Sequence, residues 1–281
     1  MSETQIPSVY DLAAAFEHAG YHRTSMRQAE ALARQIHAGG ECVASPLPNF
    51  HTCESIYDEY PTKESVLYAF ARTLHRDALA RTAQAAWAAD VAQDGTDPDA
   101  EGAQPEGNKY RKNIAFLIET LFLDLLCEMR HYRTFITEGL SQSMVKGAAV
   151  LDPEEMRDLR GNFVHGIDEL LVEVWPTLDL PAPTGQPKLP DMICMAWFAV
   201  VMHWMTDRSK SFASTRLLVS YFAGLLGLSV TVPEDEDGGT CGATSPAMQM
   251  FNLLELLRDQ NISNRLSVFF PRKKDQQGIN G

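Results

Sequence analysis

The chain has 281 residues, of which 45% are apolar and 22% charged, the make-up of a globular protein with room for one large domain or two of ordinary size. Its net charge of −13 argues against broad, non-specific attraction to nucleic acid but leaves room for a local basic face. No uninterrupted run of roughly 18 apolar residues signals a membrane span, the start "MSETQIPSVY" carries no export signal, and five scattered cysteines suit reduced thiols in a cytoplasmic protein.

Helical periodicity runs through almost every long segment. A first helix is expected over residues 7–19, with Val9, Leu12, Ala13 and Phe16 on one face and Gly20 as its stop. Thr24 or Ser25 then caps a second helix, whose face is Met26, Ala29, Ala33 and Ile36. Residues 41–50, with two prolines, read as a loop, and a third short helix follows at about 52–60. Pro61 breaks the chain, and Thr62 caps a long fourth helix from Lys63 to about Val91. The acidic, Gly- and Pro-rich stretch 92–108 reads as a linker.

Beyond it lie strongly apolar helices: "YRKNIAFLIETLFLDLLCEM" (110–129), "DPEEMRDLRGNFVHGIDELLVEVW" (152–175), "PDMICMAWFAVVMHWMTDRS" (190–209) and "FASTRLLVSYFAGLLGL" (212–228). A second acidic break, 233–245, precedes a last amphipathic helix at 246–260 and a tail, 261–281, expected to be mobile. The fold class is all-α. The expected division is a head of residues 1–75, a body of residues 76–260 and the tail.

Three fragments carry a family resemblance. "YDLAAAFEHAGYHRTSMRQAEALA" (10–33) has a Gly-aromatic turn and a Thr-Ser start to helix two. "IYDEYPTKESVLYAF" (56–70) joins helix three to helix four, and "HWMTDRSKSFASTRLLVSYFAGLL" (203–226) fits a penultimate-to-last helix pattern. Together they resemble the TetR family of bacterial transcription regulators. The resemblance implies a helix-turn-helix head, a long connecting helix, and an all-helical body that binds a ligand and dimerises through its last helices. It also implies operator DNA as partner, and an apolar small molecule that changes head spacing, so that the heads no longer match two half-sites and the repressor releases. In such a head Thr24, Ser25 and Arg27 would hold phosphates, joined by the Tyr57 hydroxyl and by Lys63 at the start of helix four. Base reading would fall to His51, Thr52 and Ser55.

This sequence departs from the family pattern in two respects. Between Thr24 and Tyr57 it is longer by about a dozen residues, whereas a helix-turn-helix relies on a short turn to fix its angle. Glu54, Asp58 and Glu59 put negative charge beside the reading helix, and residues 1–90 hold seven Lys or Arg against eleven Asp or Glu. The alternative is therefore a TetR-fold protein that binds a lipid or small molecule and no longer binds DNA. Residues 203–222 also resemble the C-terminal region of the lipid-binding protein of ubiquinone biosynthesis. A third reading is an acidic protein-interaction module.

In the body, the stripe Met192, Met195, Trp197, Phe198, Met202, His203 and Trp204 reads either as plain core or as one wall of an apolar ligand pocket, with His203 as polar anchor. Phe122, Tyr132, Phe163 and Trp175 would supply the other walls. His18 and His22 flank a helix-ending glycine and read as surface histidines rather than a metal pair. No nucleophile motif, phosphate loop or metal-ligand spacing is present, so neither an enzyme nor a cofactor is expected.

Overall fold

The computed structural model describes residues 7–37, 55–94, 114–145, 153–178 and 189–231. The inserted loop, with His51 and Thr52, lies outside them, as do most of the two acidic breaks, the expected last helix and the tail. The described residues form α1 (Val9–Ala19), α2 (Met26–His37), α3 (Ser55–Glu59), α4 (Lys63–Asp94), α5 (Ile114–Met129), α6 (Arg133–Val145), α7 (Pro153–Val174), α8 (Leu189–Thr206) and α9 (Ala213–Thr231). Single 3-10 turns occupy Arg130–Tyr132, Trp175–Thr177 and Lys210–Phe212, and no strand occurs among these residues. The described residues are all-α, as expected from the sequence.

Local chemistry explains the helix ends. Ser8 caps α1 and exchanges hydrogen bonds with Asp11, whose N–H donates to the Ser8 hydroxyl at 3.2 Å. Gly20, at φ +85°, takes the backbone out of the helix while its N–H still reaches the Phe16 carbonyl at 2.9 Å. Ser25 and Gln28 make the same reciprocal cap at α2, and Thr62 and Ser65 make it at α4. The helix α4 continues to Asp94, three residues into the expected linker.

The chain divides into two compact units: residues 1–78 with 124–163, and residues 79–123 with 164–281. The expected head falls within the first, which also contains α6. None of the helices expected from the sequence covers 133–145, the span of α6. It is secured from outside: Phe135 stacks on Phe16 of α1 at 5.7 Å, and Ile136 and Gly139 are buried. Tyr21, Phe70 and Tyr132 complete this aromatic core, with Phe70 and Tyr132 at 4.9 Å. Each such ring adds about 2–3 kcal/mol on burial.

In the second unit α8 packs on α9. Ile193, Trp197, Val200, Val201 and Trp204 form the buried stripe of α8, and Val219, Phe222, Ala223 and Leu226 that of α9. Where α5 crosses α9 the backbones come close: a Cβ on Gly227 would stand 2.8 Å from the Ala115 Cβ. By length and composition alone α8 and Lys210–Leu228 would suffice to cross a membrane, yet each packs one buried stripe into the unit's core.

Candidate functional site

The α1–α2 turn and the first turn of α2 assemble the head's polar surface. Thr24 is buried, and its hydroxyl donates to the Gly20 carbonyl at 2.8 Å, which braces the turn from inside. Ser25 is exposed as the N-cap of α2. Arg27 is exposed in the first turn of the helix, and Arg23 is exposed in the turn before it. Three other arginines of the first unit pair with acids. Arg34 pairs with Glu30 at 2.8 Å, Arg72 with Glu155 at 3.1 Å and Arg76 with Asp77 at 3.0 Å. Arg23 and Arg27 have no ion-pair partner among the described residues, so free positive charge gathers where the helix dipole is also positive. Arg23 escapes a motif-based reading because it sits in a turn; only its exposure and lack of an acid single it out.

Lys63 faces inward. Its ammonium donates to the Tyr21 carbonyl at 2.7 Å and lies over the Phe16 and Tyr21 rings at 5.8 and 5.3 Å. Tyr57 is 39% exposed on α3, beside exposed Asp58 and Glu59. Ser55 opens that helix. Tyr60 packs inward. Burial, then the charge of Glu59 and a hydrogen bond to it, push its hydroxyl up to about 12. Burial, with the charge of Glu64 adding, likewise raises the Tyr21 hydroxyl, which stays protonated.

The residues proposed as pocket walls divide between the units. Tyr132 and Phe163 belong to the first: Tyr132 lies against Phe70 and Tyr10, and Phe163 stacks on His75 at 4.0 Å. Burial alone holds the His75 imidazole down to about 3, so it is neutral. In the second unit Phe122 meets Trp197 at 5.4 Å, while Trp175 and Met195 are half-buried.

His203 turns toward α9. Its Nδ1 lies 3.1 Å from the Thr215 hydroxyl, and its Nε2 lies 3.4 Å from that of Ser214. The Thr215 hydroxyl spends its proton on Asp207, at 2.6 Å, so the imidazole must donate through Nδ1. Asp207 is the hub of this turn. Its carboxylate also accepts the N–H groups of Ser209, at 2.7 Å, and Thr215, at 2.9 Å. Burial raises its pKa, but the donors from Thr215 and Ser209 outweigh that and hold it well below the carboxylate range. Among the described residues no group of three or more His, Cys, Asp or Glu converges as metal ligands.

Residues 118–226 match the family model described as the Tetracyclin repressor-like, C-terminal domain. Over this stretch the chain is similar to the C-terminal domain of the TetR family. The match runs from α5 to α9, so it takes in the Phe122–Trp197 contact, His203 and the Asp207 turn, while α1 to α4 lie outside it. No curated protein and no solved structure matches the chain.

Proposed function

We propose that the protein is a cytoplasmic transcription regulator that binds operator DNA as a homodimer through residues 1–75 and is released by an apolar small molecule held in the body. The observation that carries this reading is the charge at the head of α2. Its other arginines are neutralised locally or lie elsewhere, while Arg23 and Arg27 stay exposed beside the Ser25 cap, where phosphates are best held. In an anisotropy titration on duplexes flanking the gene, wild type is expected to bind one fragment with salt-dependent affinity. Arg27→Ala should weaken binding about tenfold and lower the salt slope by about 1. Uniformly absent binding at low salt would sink the reading.

The dimer is supported by α9. Leu217, Tyr221 and Leu228 are 73%, 51% and 54% exposed and recur at helical spacing along one stripe, a costly display of apolar surface for a lone chain. Light scattering should find a dimer for wild type and a monomer for Leu217→Glu combined with Tyr221→Glu. A dimer unmoved by that pair of changes would place the interface elsewhere.

A second reading, a lipid or small-molecule binder of the same fold without DNA affinity, is favoured by the inward Thr24 and Lys63 and the exposed acids of α3. Lipid found by native mass spectrometry on protein that binds no duplex would select it.

A further inference from the structure

The α1–α2 turn is held by a helix that does not belong to the sequence of the head. Helix α6 lies inside the residues matched to the C-terminal domain, yet it packs on α1 in the first unit. Two carboxylates cross that contact in opposite directions. Glu17 of α1 accepts the Phe135 N–H at 2.7 Å, in the first turn of α6, and Glu138 of α6 accepts the Tyr21 N–H at 3.0 Å, just past the end of α1. Each is a charge-assisted bond to a part-buried peptide, and Glu17 also sits at the positive end of the α6 dipole.

The Tyr21 residue is therefore clamped at both backbone groups: Glu138 holds its N–H and Lys63 of α4 holds its carbonyl. Its ring is buried in the same contact, 5.8 Å from Phe135, and a Cβ on Gly139 would stand 3.6 Å from it. Three residues, His22, Arg23 and Thr24, separate this clamp from the Ser25 cap of α2, and the Thr24 hydroxyl bonds back to the Gly20 carbonyl.

We infer that Glu17 and Glu138 are positioning residues, a reciprocal latch through which the place of α6 sets the place of the α1–α2 turn, and with it Ser25 and Arg27. The consequence for DNA rests on the operator reading above; the latch itself does not. Two bonds running opposite ways across one packed pair resist sliding and rotation together, so loosening either should loosen both peptides.

Amide hydrogen exchange on the full chain tests this directly. Glu138→Ala and Glu17→Ala are each expected to speed exchange about tenfold in both segments 20–24 and 133–137. Glu155→Ala, which breaks the Arg72 pair in the same unit, should leave both unchanged. Substitutions that affect only their own segment, or neither, overturn the latch. Where wild type binds a duplex, Glu138→Ala should weaken it about tenfold, and Glu138→Gln, which keeps an acceptor oxygen, should stay within about threefold. Equal affinity for wild type and Glu138→Ala overturns the positioning role. If wild type binds no duplex, the operator reading fails and the exchange pattern alone decides the latch.

Discussion

Replacing Asp207 with alanine is expected to lower the unfolding free energy at neutral pH by about 3 kcal/mol, read by denaturant titration. Three donors converge on this buried carboxylate: the N–H groups of Ser209 and Thr215 and the Thr215 hydroxyl. Alanine leaves them without an acceptor. The loss is smaller than three separate bonds because Ser209 is half-buried and can recruit water, and the Thr215 hydroxyl can turn to His203. The turn also holds Ser211 and Phe212 at φ 54° and 55°, a left-handed pair that costs about 1 kcal/mol per residue and needs the Asp207 bonds to hold it. Asparagine keeps one acceptor oxygen and should cost about half as much. The sign with pH follows from a lowered folded pKa: the contribution is complete above the ordinary value of 3.8 and is lost only as pH falls through the folded one. A change below about 1 kcal/mol for Asp207→Ala would show that this network does not secure the α8–α9 turn.

The contrast between Asp207 and the helix caps shows what is legible in sequence and why. Ser25 with Gln28, and Thr62 with Ser65, act across three residues, so each cap can be read from a short string. The apolar stripes of α1, α4, α5 and α8 are legible for the same reason, since burial on one face repeats every three or four residues. The helix α6 is not, because its partners in α1 are 118 residues away in sequence and supply the Phe16 ring and the Glu17 carboxylate. Side-chain direction is the other barrier. Residue type places Thr24 and Lys63 at helix starts, where either an outward or an inward pose is chemically sound. The carbonyls of Gly20 and Tyr21 turn both inward. Arg27 is legible from its place at the start of α2, whereas Arg23 becomes distinctive only once the pairing of the neighbouring arginines is known. The Asp207 hub hides in "TDRSKSFAST" because its partners lie two and eight residues on, across a non-helical turn.

Acid is expected to destabilise the fold through His75 well before it reaches Asp207. The imidazole is buried on α4, stacked at 4.0 Å on Phe163, and burial lowers its pKa from 6.5 to about 3. A base lowered in this way is neutral in the fold and takes up its proton on unfolding. Its contribution is therefore complete above 6.5 and is lost steadily as pH falls from there toward about 3. Between pH 7 and pH 5 the loss should reach about 2 kcal/mol, and it approaches roughly 5 kcal/mol by pH 3. His75→Phe keeps a ring against Phe163 and removes the proton site, so its stability should fall by about 2 kcal/mol less than wild type over the same interval. The comparison isolates His75, because every other titrating group is shared by the two proteins. Parallel pH profiles for wild type and variant would mean that the imidazole already takes its proton in the folded state. A shallower profile for the variant would confirm that the Phe163 stack excludes the charged form, and that the first unit loosens in mild acid at its α4–α7 contact.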